Sequence, residues 1–226
     1  MESGPKIDVT SAAARRRFYL DRAMRRQTRG SGSDLRFLLT LPRTPNGISL
    51  LVEQTFGTIP ALLVGAHAVA AYAAERMTKD VDYFVAGEQY AQAEERLRDG
   101  GWTKLRDLHF PNAKLGLHGS AWRPHAGGIE IDLITSEQEW VRAAFAAPIT
   151  RDKNGERVIP LEFLVLMKLD SARANDQGDI NRILGRLTPE RVEEVVRVVT
   201  RHYDDPAVAA DIRQSAEIGR WEYEVP

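Results

Sequence analysis

The sequence predicts an α/β or α+β core followed by a helical region. Short apolar runs of strand length occur in the middle of the chain, helix-forming segments separate them, and longer helical segments fill the last third. The chain has 226 residues, of which 43% are hydrophobic and 28% charged, a balance typical of a globular protein. We predict three parts: a basic arm and flexible joint at 1–33, the core at 34–160, and a C-terminal helical region at 161–226.

The first core elements are predicted from apolar runs and from the residues that end them. The run 61–64 lies between Pro60 and Gly65 and is typical of a buried strand. Gly100 and Gly101 end a segment of strong helix formers. In order, the predicted elements are a short segment at 35–41 capped by Asp34, a helix at 48–56, a strand at 61–64, a helix at 67–74, a strand at 81–85, a helix at 88–99, and weaker strands at 102–108 and 114–118.

The later elements follow from alternation, capping and turn residues. Residues 129–133 alternate apolar and acidic side chains, so Glu130 and Asp132 share one face of a predicted strand. Ser136 and Glu139 have the spacing of a capping box at the start of a helix that reaches residue 146. Asn154-Gly155 predicts a two-residue hairpin turn. Helices are predicted at 161–174, at 188–203 and at 206–218.

Composition excludes several classes of site. The chain has no cysteine, which excludes disulfides, thiolate zinc sites, iron–sulfur clusters and a cysteine nucleophile. The five histidines lack metal-binding spacing, and neither a P-loop nor a dinucleotide-binding glycine fingerprint is present. No apolar run approaches the roughly 20 residues of a membrane span, and no secretory signal pattern is visible, so we expect a cytoplasmic protein.

Charge is distributed unevenly along a chain whose net charge is −1. Residues 1–34 contain eight basic and four acidic residues, whereas the remainder contains 23 basic and 28 acidic residues. A basic arm on an acidic body is a candidate contact for nucleic acid. The alternative is a solvated amphipathic helix, in which Phe18, Leu20 and Met24 form the apolar side.

Two aspartates on one predicted strand are the strongest indication of chemistry. Asp80 and Asp82 are separated by one residue, so their carboxylates project from the same face. Carboxylates held together repel each other unless a cation joins them, and Mg²⁺ prefers such oxygen ligands. Asp132 is a candidate third ligand. The alternative for an isolated Asp-x-Asp pair is a solvent-facing edge strand. The preceding strand, glycine turn and helix favour the metal site, because such a turn suits phosphate.

These motifs together resemble the nucleotidyltransferase superfamily, with its DNA-polymerase-beta-like fold, and particularly its minimal and abortive-infection toxin types. The resemblance covers roughly residues 60–185. It rests on the turn Gly65-Ala66, on the pattern Arg76-x-Thr78-x-Asp80-x-Asp82, on Asp132, and on the segment from Pro160 through Lys168 to Ile180. It implies a mixed sheet flanked by helices with a helical part after it. The chain departs from the pattern at Ala66, where the family often has serine or a second glycine.

The resemblance implies roles for individual residues. Asp80, Asp82 and Asp132 would hold Mg²⁺ or Mn²⁺, and Asp132 would also assist the acceptor. Gly65 and Ala66 would cradle the phosphates of the nucleoside triphosphate (NTP). The remaining candidates are Lys168 as a catalytic charge, and Arg76, Lys79 and His67 as nucleotide-binding residues. For Lys168 the alternative is a place on the solvent side of its helix. For His67 a polar position on the helix surface is an equal alternative.

The expected activity is therefore a metal-dependent transfer of a nucleoside monophosphate (NMP) from an NTP, such as ATP, to a hydroxyl acceptor. The acceptor could be RNA such as tRNA, a protein or a small molecule, and the protein could be the toxin of a toxin–antitoxin or phage-defence system. The alternative is a non-catalytic interaction protein, antitoxin-like, that keeps the same fold.

Overall fold

The computed structural model describes residues 11, 13–14, 16–20, 55–74, 78, 80–110, 113–125 and 129–222. The chain divides into two compact units. The sheet unit is drawn from residues 35–111 and 115–164, and the helical unit from residues 1–34, 112–114 and 165–226. The predicted three-part division stays a prediction. The segment 34–41, the joint before it and most of the predicted helix at 48–56 lie outside the described residues.

Among the described residues, seven strands form one sheet in the sheet unit. The order across the sheet is β3 (Trp102–His109), β4 (His118–Pro124), β5 (Glu130–Thr135), β2 (Asp80–Val85), β1 (Ala61–Leu63), β7 (Arg157–Val158) and β6 (Thr150–Arg151). The β2–β5 and β1–β7 pairs are parallel, and the other neighbouring pairs are antiparallel, so the sheet is mixed as expected.

Three helices of the sheet unit follow from local sequence: α1 (Gly65–Val69), α2 (Gly87–Asp99) and α3 (Trp140–Ala146). Helix α2 buries Ala93 and Leu97 and ends at the glycine pair, as predicted. Trp140 of α3 stacks on Phe84 of β2, with ring centroids 5.2 Å apart.

The C-terminal helices are α4 (Leu161–Ser171), α5 (Ala174–Leu184), α6 (Pro189–His202) and α7 (Val208–Glu222). Helix α4 begins in the sheet unit and continues into the helical unit. Thr188 caps α6 by accepting a hydrogen bond from the backbone N–H of Arg191, with Pro189 at the first turn, as the sequence predicted. Helices α5 and α7 approach closely at Gly219: a Cβ added to this glycine would lie only 1.9 Å from the carbonyl oxygen of Asn181. The expected fold class, a mixed sheet flanked by helices with a C-terminal helical part, is confirmed.

Four local predictions are wrong. The helix expected at 67–74 is the shorter α1, Gly65–Val69. The strand expected at 114–118 lies further along the chain, at β4. Several buried positions of β4 are small residues such as Ser120, so its sequence shows no alternation of apolar and polar side chains. The capping box is absent: α3 begins at Trp140, and the Ser136 hydroxyl donates to the carbonyl of Leu115. The helix expected at 161–174 ends at Ser171, because Ala172 adopts a φ of 46° and a new helix starts two residues later.

The hairpin near Asn154 is present but wider than predicted. Strands β6 and β7 pair in antiparallel fashion, and the backbone N–H of Asp152 donates to the carbonyl of Glu156. Gly155 has a φ of 86°, the left-handed conformation that glycine adopts at little cost. The loop therefore contains three residues between the paired positions. Within the part of the chain described, no helix is both long and apolar enough to cross a membrane.

Candidate active site

Asp82 and Asp132 lie side by side on neighbouring strands. They are direct partners in the parallel pairing of β2 with β5, where Asp80 pairs with Glu130. The two strands have the same burial pattern, with half-buried acidic residues followed by three buried residues. Because strand side chains alternate between faces, these four acids share one face of the sheet. The opposite face is covered by α2, whose Tyr90 hydroxyl lies 2.7 Å from the Ser120 hydroxyl.

Gly65 lies against the carboxylate of Asp82. A Cβ placed on Gly65 would lie 1.8 Å from Oδ2 of Asp82 and 2.5 Å from its Cγ. The backbone supports the same approach, because the N–H of Val64 donates to the carbonyl of Asp82 over 2.9 Å. Gly65 also has a φ of 61°, which disfavours other residues. The glycine turn and the Asp82 carboxylate are therefore in direct contact.

Hydrogen bonds and ion pairs hold the outer two acids of this face. The Thr78 hydroxyl donates to Oδ1 of Asp80 over 2.6 Å. Glu130 forms an ion pair with Arg123, and Arg106 lies 4.0 Å from its other carboxylate oxygen. Thr78, Glu130 and the two arginines had no assigned role in the sequence. The sequence does contain a signal for Glu130, because the alternation of residues 129–133 places it on the same strand face as Asp132. The positions of the two arginines, in contrast, depend on strand pairing.

The donor set fits a divalent cation in part. Two adjacent carboxylates suit Mg²⁺, which takes one or two carboxylates and completes its shell with water and substrate phosphates. Among the described residues, no group of three His, Cys, Asp or Glu has the arrangement of a metal site. The paired positions of Asp82 and Asp132 are compatible with such a two-carboxylate site, and the metal-ligand roles of Asp80, Asp82 and Asp132 stay predictions.

Of the other nucleotide-binding candidates, the structure describes only those at the glycine turn. Gly65, Ala66 and His67 begin α1; Ala66 is buried, and His67 is half-buried. Because the Ala66 side chain is buried, a contact with phosphate would come from its backbone. Arg76 and Lys79 lie outside the described residues.

Lys168 belongs to the helical unit and is 4% exposed. Its Nζ donates to Asp176 Oδ1 over 2.9 Å and to Asp179 Oδ2 over 2.8 Å. Burial raises the pKa of Asp176, but the charges of Lys168 and Arg173 and hydrogen bonds to its carboxylate lower it to about 2. This geometry favours a structural role for Lys168, because its ammonium already bonds two buried carboxylates.

The N-terminal arm contributes a buried cation to the helical unit. Arg16 is 0% exposed, and its guanidinium bonds Asp205 over 2.6 Å and Asp211 over 3.2 Å. It also donates to the carbonyl of Leu169 over 3.1 Å. Arg16 is therefore a packing residue here, and a nucleic-acid contact of the arm would depend on its other arginines.

No protein-family model and no curated protein sequence matches the chain. Solved structures align with most of the chain. The chain is 13% identical to a candidate nucleotidyltransferase from Helicobacter pylori, over 79% of this chain and 92% of that chain, with a TM-score of 0.42. It is 14% identical to JHP933 from Helicobacter pylori, over 79% and 90% of the two chains, with a TM-score of 0.39. It is 13% identical to ANT(2'')-Ia in complex with adenylyl-2''-tobramycin, over 78% and 99%, with a TM-score of 0.42.

Proposed function

We propose that the chain is a nucleotidyltransferase, which moves an NMP from an NTP to a hydroxyl group of an acceptor. The observation that supports this is the pairing of Asp82 with Asp132, together with the contact of Gly65 with the Asp82 carboxylate. Two acids beside a glycine turn supply oxygen donors for a cation that would neutralise the phosphates of an NTP.

In the proposed reaction the acceptor oxygen attacks the α-phosphorus of the NTP. The bond from this phosphorus to the oxygen that bridges it to the β-phosphorus breaks, and pyrophosphate leaves with that electron pair. The acceptor proton passes to the carboxylate of Asp132 and then to water. Asp82, held beside Asp132 by strand pairing, orients the phosphate end of the site.

A bound Mg²⁺ or Mn²⁺ would supply charge neutralisation for the phosphates, with Asp82 and Asp132 as the residues that hold it and Asp80 as a further ligand. Gly65 and Ala66 are proposed to bind the NTP phosphates through their backbone. Arg76, Lys79 and His67 stay candidates for further nucleotide contacts.

The proposal also covers the choice of NTP, the biological role and the location of the protein. ATP is the NTP that we would test first. A toxin–antitoxin or phage-defence role is consistent with the toxin types that the motifs resemble. A cytoplasmic location is consistent with the absence of cysteine.

Calorimetric titration with each NTP in the presence of Mg²⁺ or Mn²⁺ tests the proposal. We expect the wild type to bind and Asp82→Asn to lose binding. Asp107→Asn is the matched control, because Asp107 is an exposed acid of β3 that pairs with Lys104 and not with the site. If the wild type binds no NTP with either cation, the proposal is wrong, and the interaction-protein alternative is favoured.

A further inference from the structure

Two exposed arginines lie on the carboxylate face of the sheet. Arg106 of β3 pairs with Ala121 of β4, which in turn pairs with Asp132 of β5. Residues paired across neighbouring strands point to the same face, so Arg106 and Asp132 share a face. Arg123 lies on this face too, because it forms an ion pair with Glu130, two residues from Asp132.

The Arg106 side chain extends across β4 toward β5. Its guanidinium lies 4.0 Å from the carboxylate of Glu130, although one strand separates them. The intervening partner is Ala121, whose small side chain leaves room for a long side chain to pass above it. Both arginines stay accessible, since Arg106 is 57% exposed and Arg123 is 53% exposed.

The arginines and the glycine turn lie on opposite sides of the carboxylate pair. The sheet order places β1, which leads into Gly65, on one side of β2, and β5, β4 and β3 on the other. If the NTP phosphates lie at the glycine turn, the side of β5 is left for the acceptor. The arginines are therefore on the acceptor side.

Positive charge on the acceptor side of the carboxylate pair favours an acceptor that carries phosphate. Four acids of the site face repel any approaching phosphate, and they attract a cationic acceptor. Guanidinium groups bind phosphate oxygens in a bidentate manner, so two exposed arginines offset this repulsion for a phosphate-bearing acceptor. For a cationic acceptor the same arginines would be unfavourable.

We infer that the acceptor carries phosphate and that Arg106 and Arg123 bind it, in place of their ion pairs with Glu130. The inference rests on the proposed nucleotidyltransferase function and adds the substrate class. The phosphate could belong to an RNA strand or to a small phosphorylated compound with a free hydroxyl.

Fluorescence anisotropy with a short labelled single-stranded RNA tests this inference, with ribose 5-phosphate and ribose as competitors. The double variant Arg106→Gln/Arg123→Gln should bind RNA about tenfold more weakly. Its salt dependence, the slope of log K against log salt concentration, should be smaller in magnitude by about 1.4, because each of two phosphate contacts on a single strand contributes about 0.7. Competition by ribose 5-phosphate at low concentration indicates a small phosphorylated acceptor, and its failure to compete indicates RNA.

Two further variants distinguish RNA binding at these two arginines from a non-specific effect of the protein's charge. Arg98→Gln removes an arginine of equal exposure, 55%, from α2 on the opposite face, so it should leave RNA binding unchanged. Glu130→Gln should strengthen RNA binding, because it removes a negative charge and releases the arginines. Equal binding by the double variant and the wild type, an equal loss in Arg98→Gln, or weaker binding by Glu130→Gln would overturn the inference.

The same variants distinguish this inference from the proposed function. The double variant should bind NTP as the wild type does in calorimetry, because the NTP phosphates are proposed to lie on the β1 side. If it loses NTP binding, the arginines serve the NTP and the inference is wrong, while the nucleotidyltransferase proposal stands. If the wild type binds RNA through the arginines but binds no NTP, the proposed function is wrong.

Discussion

Replacement of Gly65 by alanine tests whether the glycine turn positions the Asp82 carboxylate. The new Cβ would lie 1.8 Å from Oδ2, 2.5 Å from Cγ and 3.0 Å from Cβ of Asp82. Carbon and oxygen atoms that are not bonded do not approach so closely. The Asp82 carboxylate must therefore leave the position that it holds against the turn.

The expected effect separates into stability and activity. Alanine at a φ of 61° costs about 1–2 kcal/mol in the free energy of unfolding. The Asp82 carboxylate must move by more than about 1 Å, and a displacement of this size at a reacting centre costs about 100-fold in rate. We therefore expect a modest loss of stability and a large loss of NMP transfer.

The matched control is Gly57→Ala. Gly57 has nearly the same backbone conformation, a φ of 57°, but its added Cβ would meet no atom within 4 Å. Urea unfolding and NTP titration of both variants are the measurements. We expect Gly65→Ala to lose at least as much stability as Gly57→Ala, with NTP binding and activity lost in Gly65→Ala alone. Wild-type activity in Gly65→Ala, or an equal loss of activity in both variants, would refute the idea that Gly65 positions Asp82.

Three other predictions concern the helical unit. Lys168→Met leaves two buried carboxylates without their cation, so it should lower the free energy of unfolding in urea by about 3–5 kcal/mol. Arg191→Met, which breaks an exposed ion pair, should change the free energy of unfolding by less than about 1 kcal/mol. Equal effects of Lys168→Met and Arg191→Met would contradict a buried ion cluster around Lys168. Arg16→Met should also cost about 3–5 kcal/mol in the same assay, since it leaves two aspartates of the unit unpaired; a change within about 0.5 kcal/mol would show that the arm does not pack there in solution. The pKa of Asp176, lowered from 3.8 to about 2, means that its ionised form stabilises the fold by about 2 kcal/mol above pH 4 and that this contribution is lost as the pH falls toward 2. The difference in unfolding free energy between wild type and Asp176→Asn should therefore narrow across this range, and a constant difference would contradict the lowered pKa.

Much of the core could be predicted because its signals are local. The apolar run at 61–64 and the alternation at 129–133 correspond to β1 and β5, and the glycine pair ends α2 where predicted. Alternation also predicted that Asp80 and Asp82 share a face. Strand β4 was missed because its buried positions include glycine, serine and alanine, which leave no hydrophobic period. The break at Ala172 has no sequence signal, because alanine rarely adopts a positive φ.

The composition of the candidate site was set by the sequence, and its arrangement by the tertiary structure. The sequence by itself determined which acids are present, their alternation on the strands, and the glycine that allows a left-handed turn. Three features depend on contacts between residues far apart in the chain: the pairing of Asp82 with Asp132, the contact of Gly65 with Asp82, and the ion pairs that engage Lys168. Strand order and register follow from the packing of the whole sheet, which no local pattern encodes. Burial likewise decides whether a lysine faces solvent or bonds two carboxylates.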